Sequence, residues 1–392
     1  MGRRPLLSVL AVVVAVPLAL VTASANGNVP GGVPATHRNA HVCGAPASGR
    51  AGCLAIRHDR LDANGMVVPN ATPAGYGPAD IRSAYNLTGS STATVAIVDA
   101  YNDPTAETDL TTYRNQFGLS PCTTANGCFK KINQTGGTAY PRTNGGWAQE
   151  ISLDLDMVSA ACPGCHILLV EATSNSFANL AAGVTYAATK VPGVVAISNS
   201  YGGSDSAETS AYNHPGIAIT ASTGDGGYGV ESPASYPHVV AVGGTSLRRA
   251  STSRGWTETA WSGAGSGCST INAKPSWQTS ATACSHKAVA DVSAVADPNT
   301  GVAVYDSTSY RGSVGWLVFG GTSASSPIIA SVYAQSGNTA GYPASYTWAH
   351  TSSLNDVTSG SNGTCSPSVW CHAGTGWDGP TGLGTPNGTA GF

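Results

Sequence analysis

The run Gly320-Gly321-Thr322-Ser323-Ala324-Ser325-Ser326-Pro327 combines a Gly-Thr-Ser turn, a Pro four residues after the Ser, and a following apolar Ile328-Ile329-Ala330. This pattern places the Ser323 hydroxyl at a helix N-terminus. Unpaired amides and the positive end of the helix dipole there favour a developing oxyanion, which is what acyl transfer requires. The same letters also suit an ordinary helix cap, so the partners of Ser323 must decide.

A serine nucleophile needs a base held in place by a further group. None of the nine histidines sits in a suitable setting. Instead, Trp147-Ala148-Gln149-Glu150-Ile151-Ser152-Leu153-Asp154-Leu155-Asp156 puts Glu150 and Asp154 four residues apart, on one face of a helix. Taken alone, such a pair reads as a solvated face. The small apolar Met157-Val158-Ser159-Ala160-Ala161 that follows brings this helix close to the core, where two carboxyl groups share a proton and one is tuned as a base. A third candidate is Asp225, Gly-flanked at the C-terminal end of the apolar run Ile217–Ala221. It reads either as a simple Asp-Gly turn or, at the edge where open α/β sheets bind ligands, as a protonated donor to an oxyanion.

These groups must be carried by a scaffold, and the chain spells one out. Short β-branched runs (Thr92–Asp99, His166–Glu171, Gly193–Ser198, Ile217–Ala221, Val239–Val242) alternate with helical patterns around Ala148–Ala161 and Ser176–Lys190. Fully apolar strands separated by amphipathic helices predict an α/β fold, a mostly parallel sheet buried on both faces by crossover helices.

Residues 1–25 read as a signal peptide, with Arg3 and Arg4, an apolar stretch from Leu6 to Val21, and Ala23-Ser24-Ala25. The protein is therefore expected to be secreted, soluble and monomeric, without a membrane anchor. Residues 26–73 are polar, aperiodic and too few to build a core, and are read as a short prosegment; 74–392 is the main domain. Ten cysteines fall as close neighbours: Cys43 with Cys53, Cys122 with Cys128, Cys162 with Cys165, Cys268 with Cys284, and Cys365 with Cys371. Five short-range disulfides are expected, although spacing does not fix connectivity and Cys162-Pro-Gly-Cys165 also has the form of a redox motif. Charged residues make up only 10% and the net charge is −3, with no basic cluster, which excludes nucleic acid as a partner.

Glu150, Asp154, Asp225 and Ser323, in that order and in these settings, resemble the sedolisin or serine-carboxyl peptidase family, which includes kumamolisin. The resemblance covers most of 75–392, including Ala241-Val242-Gly243-Gly244-Thr245-Ser246-Leu247 and Asp291-Val292-Ser293-Ala294. It implies a subtilisin-like fold and an endopeptidase that cleaves peptide or protein substrates through an acyl-enzyme. Ser323 would be the nucleophile, Glu150 its general base, Asp154 the group orienting Glu150, and Asp225 the oxyanion donor. Asp99, at a strand end, would stand behind Glu150. The Ser198-Asn199-Ser200-Tyr201-Gly202-Gly203 stretch looks like the strand that pairs with an extended substrate.

Near the C-terminus, Asp356-Val357 and Gly374-Thr375-Gly376-Trp377-Asp378 offer carboxylates and Gly-rich carbonyls, an oxygen set suited to Ca²⁺. The resemblance implies one structural calcium ion held by Asp356, Asp378 and the carbonyls of Val357, Gly374 and Gly376. Two other readings stand beside the peptidase. A subtilisin-type serine protease lacks its histidine-bearing helix start here, and a catalytically silent secreted binding module would have kept the fold alone.

Overall fold

The computed structural model describes residues 1–2 and 36–392. The expected signal peptide falls almost wholly outside the described residues. At the centre lies an eight-stranded sheet in the order β12 (Trp256–Ala260), β11 (Val240–Arg249), β9 (Ala218–Ser222), β7 (Val194–Asn199), β4 (Thr94–Ala100), β6 (His166–Ala172) and β5 (Phe129–Asn133), with β15 (Val292–Val295) also paired to β11. Every pairing except the hairpin of β11 with β12 is parallel. β4, β6, β7 and β9 are almost wholly buried, as strands covered on both faces must be. The fold is thus α/β, with a mostly parallel sheet flanked by helices, and β4, β6, β7 and β9 lie within two residues of the runs that predicted them.

Two helices carry the chemistry. α3 (Gly145–Ala161) is capped by Asn144, whose side chain accepts from the Gly146 and Trp147 amides. Only its first residue escapes burial, because α5 (Thr322–Ser336) packs on one side and β16 (Val302–Tyr310) on the other. A helix so enclosed has no solvated face, which rules out the bland reading of Glu150 and Asp154. α5 is preceded by β17 (Ser313–Gly320), antiparallel to β16. Helix α4 (Phe177–Lys190) covers β4, β6 and β7.

The boundary drawn at residue 74 is not a boundary in the fold, since Thr36–Phe392 form one compact unit. β1 (Thr36–His41) pairs antiparallel with β3 (Ile56–Leu61), and β3 with β17, while β2 (Gly52–Cys53) pairs antiparallel with β8 (Tyr201–Ser204). This segment needs no core of its own; it borrows one by adding strands to sheet edges. All ten cysteines pair as expected, Cys162–Cys165 included.

The turn from β17 into α5 leaves no room for side chains. A Cβ at Gly320 would lie 2.3 Å from the Ala296 carbonyl oxygen and 2.4 Å from the Pro298 nitrogen. In an otherwise inactive Ser323→Ala background, Gly320→Ala is expected to cost more than about 3 kcal/mol, the size typical of an unrelieved backbone clash. Gly226→Ala, where nothing lies within 4 Å, serves as the control and should stay within about 1 kcal/mol. Equal urea midpoints for the two variants would show that this turn does not fix the helix start.

Candidate active site

Ser323 is the second residue of α5, set by Gly321 in an extended left-handed conformation at φ 92°. A Cβ at Gly321 would sit 1.9 Å from the Leu54 carbonyl oxygen, so only glycine allows the helix to begin here. Pro327 cannot donate to the Ser323 carbonyl four residues back, and the Ser200 hydroxyl, 3.3 Å away, takes that acceptor. Ser200 Oγ also lies 2.8 Å from Asp154 Oδ1. One hydroxyl proton cannot serve both acceptors at once, and the shorter contact is the one Ser200 donates to Asp154. The hydroxyl of Ser323 itself donates to the Ser200 carbonyl at 3.4 Å.

Glu150, Asp154 and Asp99 are fully buried and close enough to titrate together. Burial pushes Glu150 well above the usual carboxyl range and the Asp99 charge adds to this, while the Ser323 hydroxyl and the Ala55 amide pull the other way. Asp154 is raised by burial, then by Asp99 and Glu150. Asp99 is pushed up to about 8, again by burial first and then by Glu171, its register partner on β6. Neither oxygen of Asp99 meets a hydrogen-bond partner, and Glu150 Oε1 and Asp154 Oδ2 are equally alone. Carboxyl groups buried with so few donors are biased towards their neutral form, since an isolated anion there costs far more than neutralisation.

Asp225 follows β9 in a loop whose neighbour Gly224 is at φ 114°. Its Oδ1 accepts from the Thr322 amide and the Thr322 hydroxyl, both at 2.8 Å. That pins the carboxyl to the N-terminus of α5 and turns Oδ2, buried and unpartnered, towards the space beside Gly321. Burial raises Asp225 to about 8 despite these two donors. Burial therefore biases the group towards its neutral form, and Oδ2 is the oxygen left without a partner. All four catalytic candidates converge on one end of α5. Among the described residues, no histidine hydrogen-bonds to Ser323 or Glu150.

Sequence reasoning missed the groups that complete this centre. The Ala55 amide donates to Glu150 Oε2 at 2.8 Å, and the Leu54 amide donates to the Ser200 carbonyl at 3.3 Å. Thr322 and Ser200, each one element away from a predicted residue, hold Asp225 and Asp154. The one signal in the sequence for Leu54–Ala55 was Cys53 beside it, whose bond to Cys43 fixes the strand.

At the far end, Asp378 is fully buried, accepting from Thr381 at Oδ1 and from the Gly374 amide at Oδ2. Asp356 Oδ2 accepts from the Gly376 amide at 2.9 Å. Burial raises Asp378 to about 7, and the nearby charge of Asp356 adds to it. Two neighbouring carboxyl groups, each bound by an amide of the same Gly-rich loop, offer the oxygen chemistry that suits a calcium ion.

The buried carboxyl groups make stability depend on pH with a definite sign. Asp225 and Asp99 go from 3.8 in the unfolded chain to about 8 in the fold, and Glu171 from 4.5 to about 7. The native state thus holds protons that the unfolded chain releases, so this stabilisation is complete below about pH 4 and is lost as pH rises through 7 to 8. Thermal melts of Ser323→Ala should show Tm at least about 5 °C lower at pH 8 than at pH 4. A Tm that rises over this interval would mean these carboxyl groups are ionised in the fold.

No protein-family profile matches the chain. Over 368 residues it is 30% identical to kumamolisin from Bacillus sp. (strain MN-32), covering 81% of this chain and 63% of that one. Over 177 residues it is 34% identical to sedolisin from Pseudomonas sp. (strain 101), covering 40% of this chain and 29% of the relative. The chain therefore spans less than two thirds of the length of these relatives. Among solved structures, Pseudomonas sedolisin, a serine-carboxyl proteinase complexed with two molecules of pseudo-iodotyrostatin, superposes with TM-score 0.66 at 24% identity, covering 81% of this chain and 96% of that one. A lanthipeptide protease shares the architecture at TM-score 0.51 and 13% identity, covering 80% of this chain and 91% of that one. Together with the order and setting of Glu150, Asp154, Asp225 and Ser323, these sequence relatives support a sedolisin-family, kumamolisin-like protein.

Proposed function

We propose that this chain is a serine-carboxyl endopeptidase that hydrolyses peptide bonds through an acyl-enzyme on Ser323. What carries the reading is the meeting of Ser323, Glu150 and the free Oδ2 of Asp225 at the start of α5, in a pocket closed to water. Ionised Glu150 takes the Ser323 proton as Oγ bonds to the substrate carbonyl carbon. The developing oxyanion receives a hydrogen bond from Asp225 Oδ2 and gains from the positive end of α5. Glu150 then passes its proton to the leaving nitrogen, and water repeats the sequence in reverse to release the acyl group. Asp154, protonated and hydrogen-bonded to Ser200, keeps its charge off Glu150 while Glu150 is the base. Asp99 plays the same part from below.

Activity on the acid side follows from these demands. Glu150 must lose its proton while Asp225 keeps one, and clearing the cleft of Leu54 and Ala55 lets water back to both groups, moving their pKa values down towards the carboxyl range. A maximum at about pH 3–5 is expected for hydrolysis of denatured protein, with decline on the alkaline side as Asp225 ionises. Ser323→Ala should lower kcat/KM by several orders of magnitude with the fold intact. Asp225→Asn should lower the rate by about 10²–10³ and weaken the alkaline decline, since an amide donates without titrating. A wild-type maximum above pH 7 with an unchanged profile in Asp225→Asn would overturn the carboxyl mechanism.

The same proposal includes a secreted protein stabilised by one calcium ion. Asp356 and Asp378, with the carbonyls of Val357, Gly374 and Gly376, would hold it, offsetting the repulsion between two carboxylates. The disulfides support an oxidising compartment. Among the described residues, no helix is long and apolar enough to cross a membrane. Removing calcium from the Ser323→Ala protein should lower Tm by several degrees and restore it on readdition, as ligand linkage requires. A melting curve indifferent to verified depletion would remove the ion from the proposal.

A further inference from the structure

Asp225 stands among glycines, in Thr223-Gly224-Asp225-Gly226-Gly227-Tyr228, so the residues on either side of it have no side chains with which to anchor the loop. Gly224 and Gly227 take φ of 114° and 78°, and nothing lies within 4 Å of where a Cβ of Gly226 would be. Such a stretch holds no shape by itself. The Thr322 amide and hydroxyl fix one carboxyl oxygen of Asp225, but where the other points depends on how the loop backbone is held.

Two segments hold it. The Gly265 amide donates to the Gly224 carbonyl at 2.8 Å, the Gly227 amide donates to the Gly263 carbonyl at 2.8 Å, and Gly229 and Ser266 exchange both of their backbone bonds. Residues 263–266, which follow β12, thus brace the loop before and after Asp225. From another side the Tyr228 amide donates to the Asn362 carbonyl at 2.9 Å. Asn362 joins the two braces. It is 4% exposed, and its Nδ2 donates to the Ala264 carbonyl at 2.6 Å and to Ser266 Oγ at 2.8 Å. A carbonyl only accepts, so the NH₂ end of the carboxamide must face this way. Ser266 Oγ passes the contact on to the Trp370 carbonyl at 2.6 Å, and the Asn362 amide donates to the Cys371 carbonyl at 3.0 Å, in the loop closed by the Cys365–Cys371 disulfide. A Cβ at Gly227 would lie 2.7 Å from the Asn362 carbonyl oxygen, so here backbone packs on backbone.

We propose that Asn362 is a positioning residue for the oxyanion donor: its carboxamide ties residues 263–266 to the disulfide-closed loop, and the glycine-rich stretch caught between them holds the Asp225 carboxyl at the start of α5. This rests on the peptidase reading above, in which Asp225 donates to the oxyanion. Asn362 itself does not react. Its hydrogen bonds go to Ala264, Ser266, Tyr228 and Cys371, and it reaches Asp225 only through the backbone of Gly227 and Tyr228. A donor displaced from the point where charge develops loses much of its worth, while substrate pairing along β8 is untouched. The cost of losing the brace therefore falls on kcat and not on KM.

The test is a double-mutant cycle on the full chain. Hydrolysis of a fluorogenic peptide that wild type cleaves is followed at about pH 4 for wild type, Asn362→Ala, Asp225→Ala and the double variant, with the fold of each checked by circular dichroism. Asn362→Ala should lower kcat by about 10- to 100-fold with KM within about threefold, and in the Asp225→Ala background the same substitution should change kcat by less than about twofold. Ser266→Ala removes the other end of the brace, so it should reproduce the loss and add nothing when combined with Asn362→Ala. An unchanged kcat in folded Asn362→Ala, or an equal loss with and without Asp225, overturns the inference and leaves the peptidase reading standing, because a merely structural asparagine costs the same in both backgrounds. If Asn362→Ala does not fold, Ser266→Ala goes through the same cycle and is judged in the same way. If Ser323→Ala or Asp225→Ala matches wild type, the peptidase reading falls and this inference falls with it.

Discussion

A carboxyl group taken out of water stays neutral unless donors replace the solvent, and this molecule buries several together with few donors, and with none for Asp99. Asp99, Glu150, Asp154 and Asp225 form a proton-sharing set in which ionising one raises the cost of ionising the next. In the peptidase reading proposed above, that constraint makes the base a carboxylate and the oxyanion donor an acid, and it favours the fold at low pH. The burial is created by ordinary packing. α3 is wedged between α5 and β16, and β4 ends against β6 where Asp99 meets Glu171.

The start of α5 gathers these groups. Gly321 carries no side chain where the Leu54 carbonyl and Asp225 Oδ2 approach it, and Thr322 uses both its amide and its hydroxyl to hold Asp225. Pro327 frees the Ser323 carbonyl for Ser200, which in turn touches Asp154. The serine end and the acid end of the site are thus joined through one hydroxyl group.

The amino-terminal strands join the main body without a core of their own. Edge strands expose unpaired backbone groups, and an active-site cleft between two edges captures any extended chain long enough to span it. Here residues 51–57 span it, braced by the Cys43–Cys53 disulfide. The same segment lies against Glu150 and Asp225 and deepens their burial, which favours their protonated forms.

Most of the fold and the four catalytic candidates were legible in the sequence. Apolar runs of strand length between helical patterns leave few arrangements other than a buried parallel sheet. The Gly-Thr-Ser turn, the i,i+4 acidic pair and the Gly-flanked Asp each mark a local conformation. Local patterns could not reveal that residues 36–61 join the main body, because strand pairing is made by backbone atoms that every residue shares, and the polar letters of that stretch carry no periodicity. Nor could they place Ser200, Thr322 or Ala55 against the acids, since those contacts link positions 46 to 97 residues apart. The sequence determined which groups could react; the tertiary structure decided which of them are dry and which favour a proton, because dielectric and proximity belong to packing and not to composition.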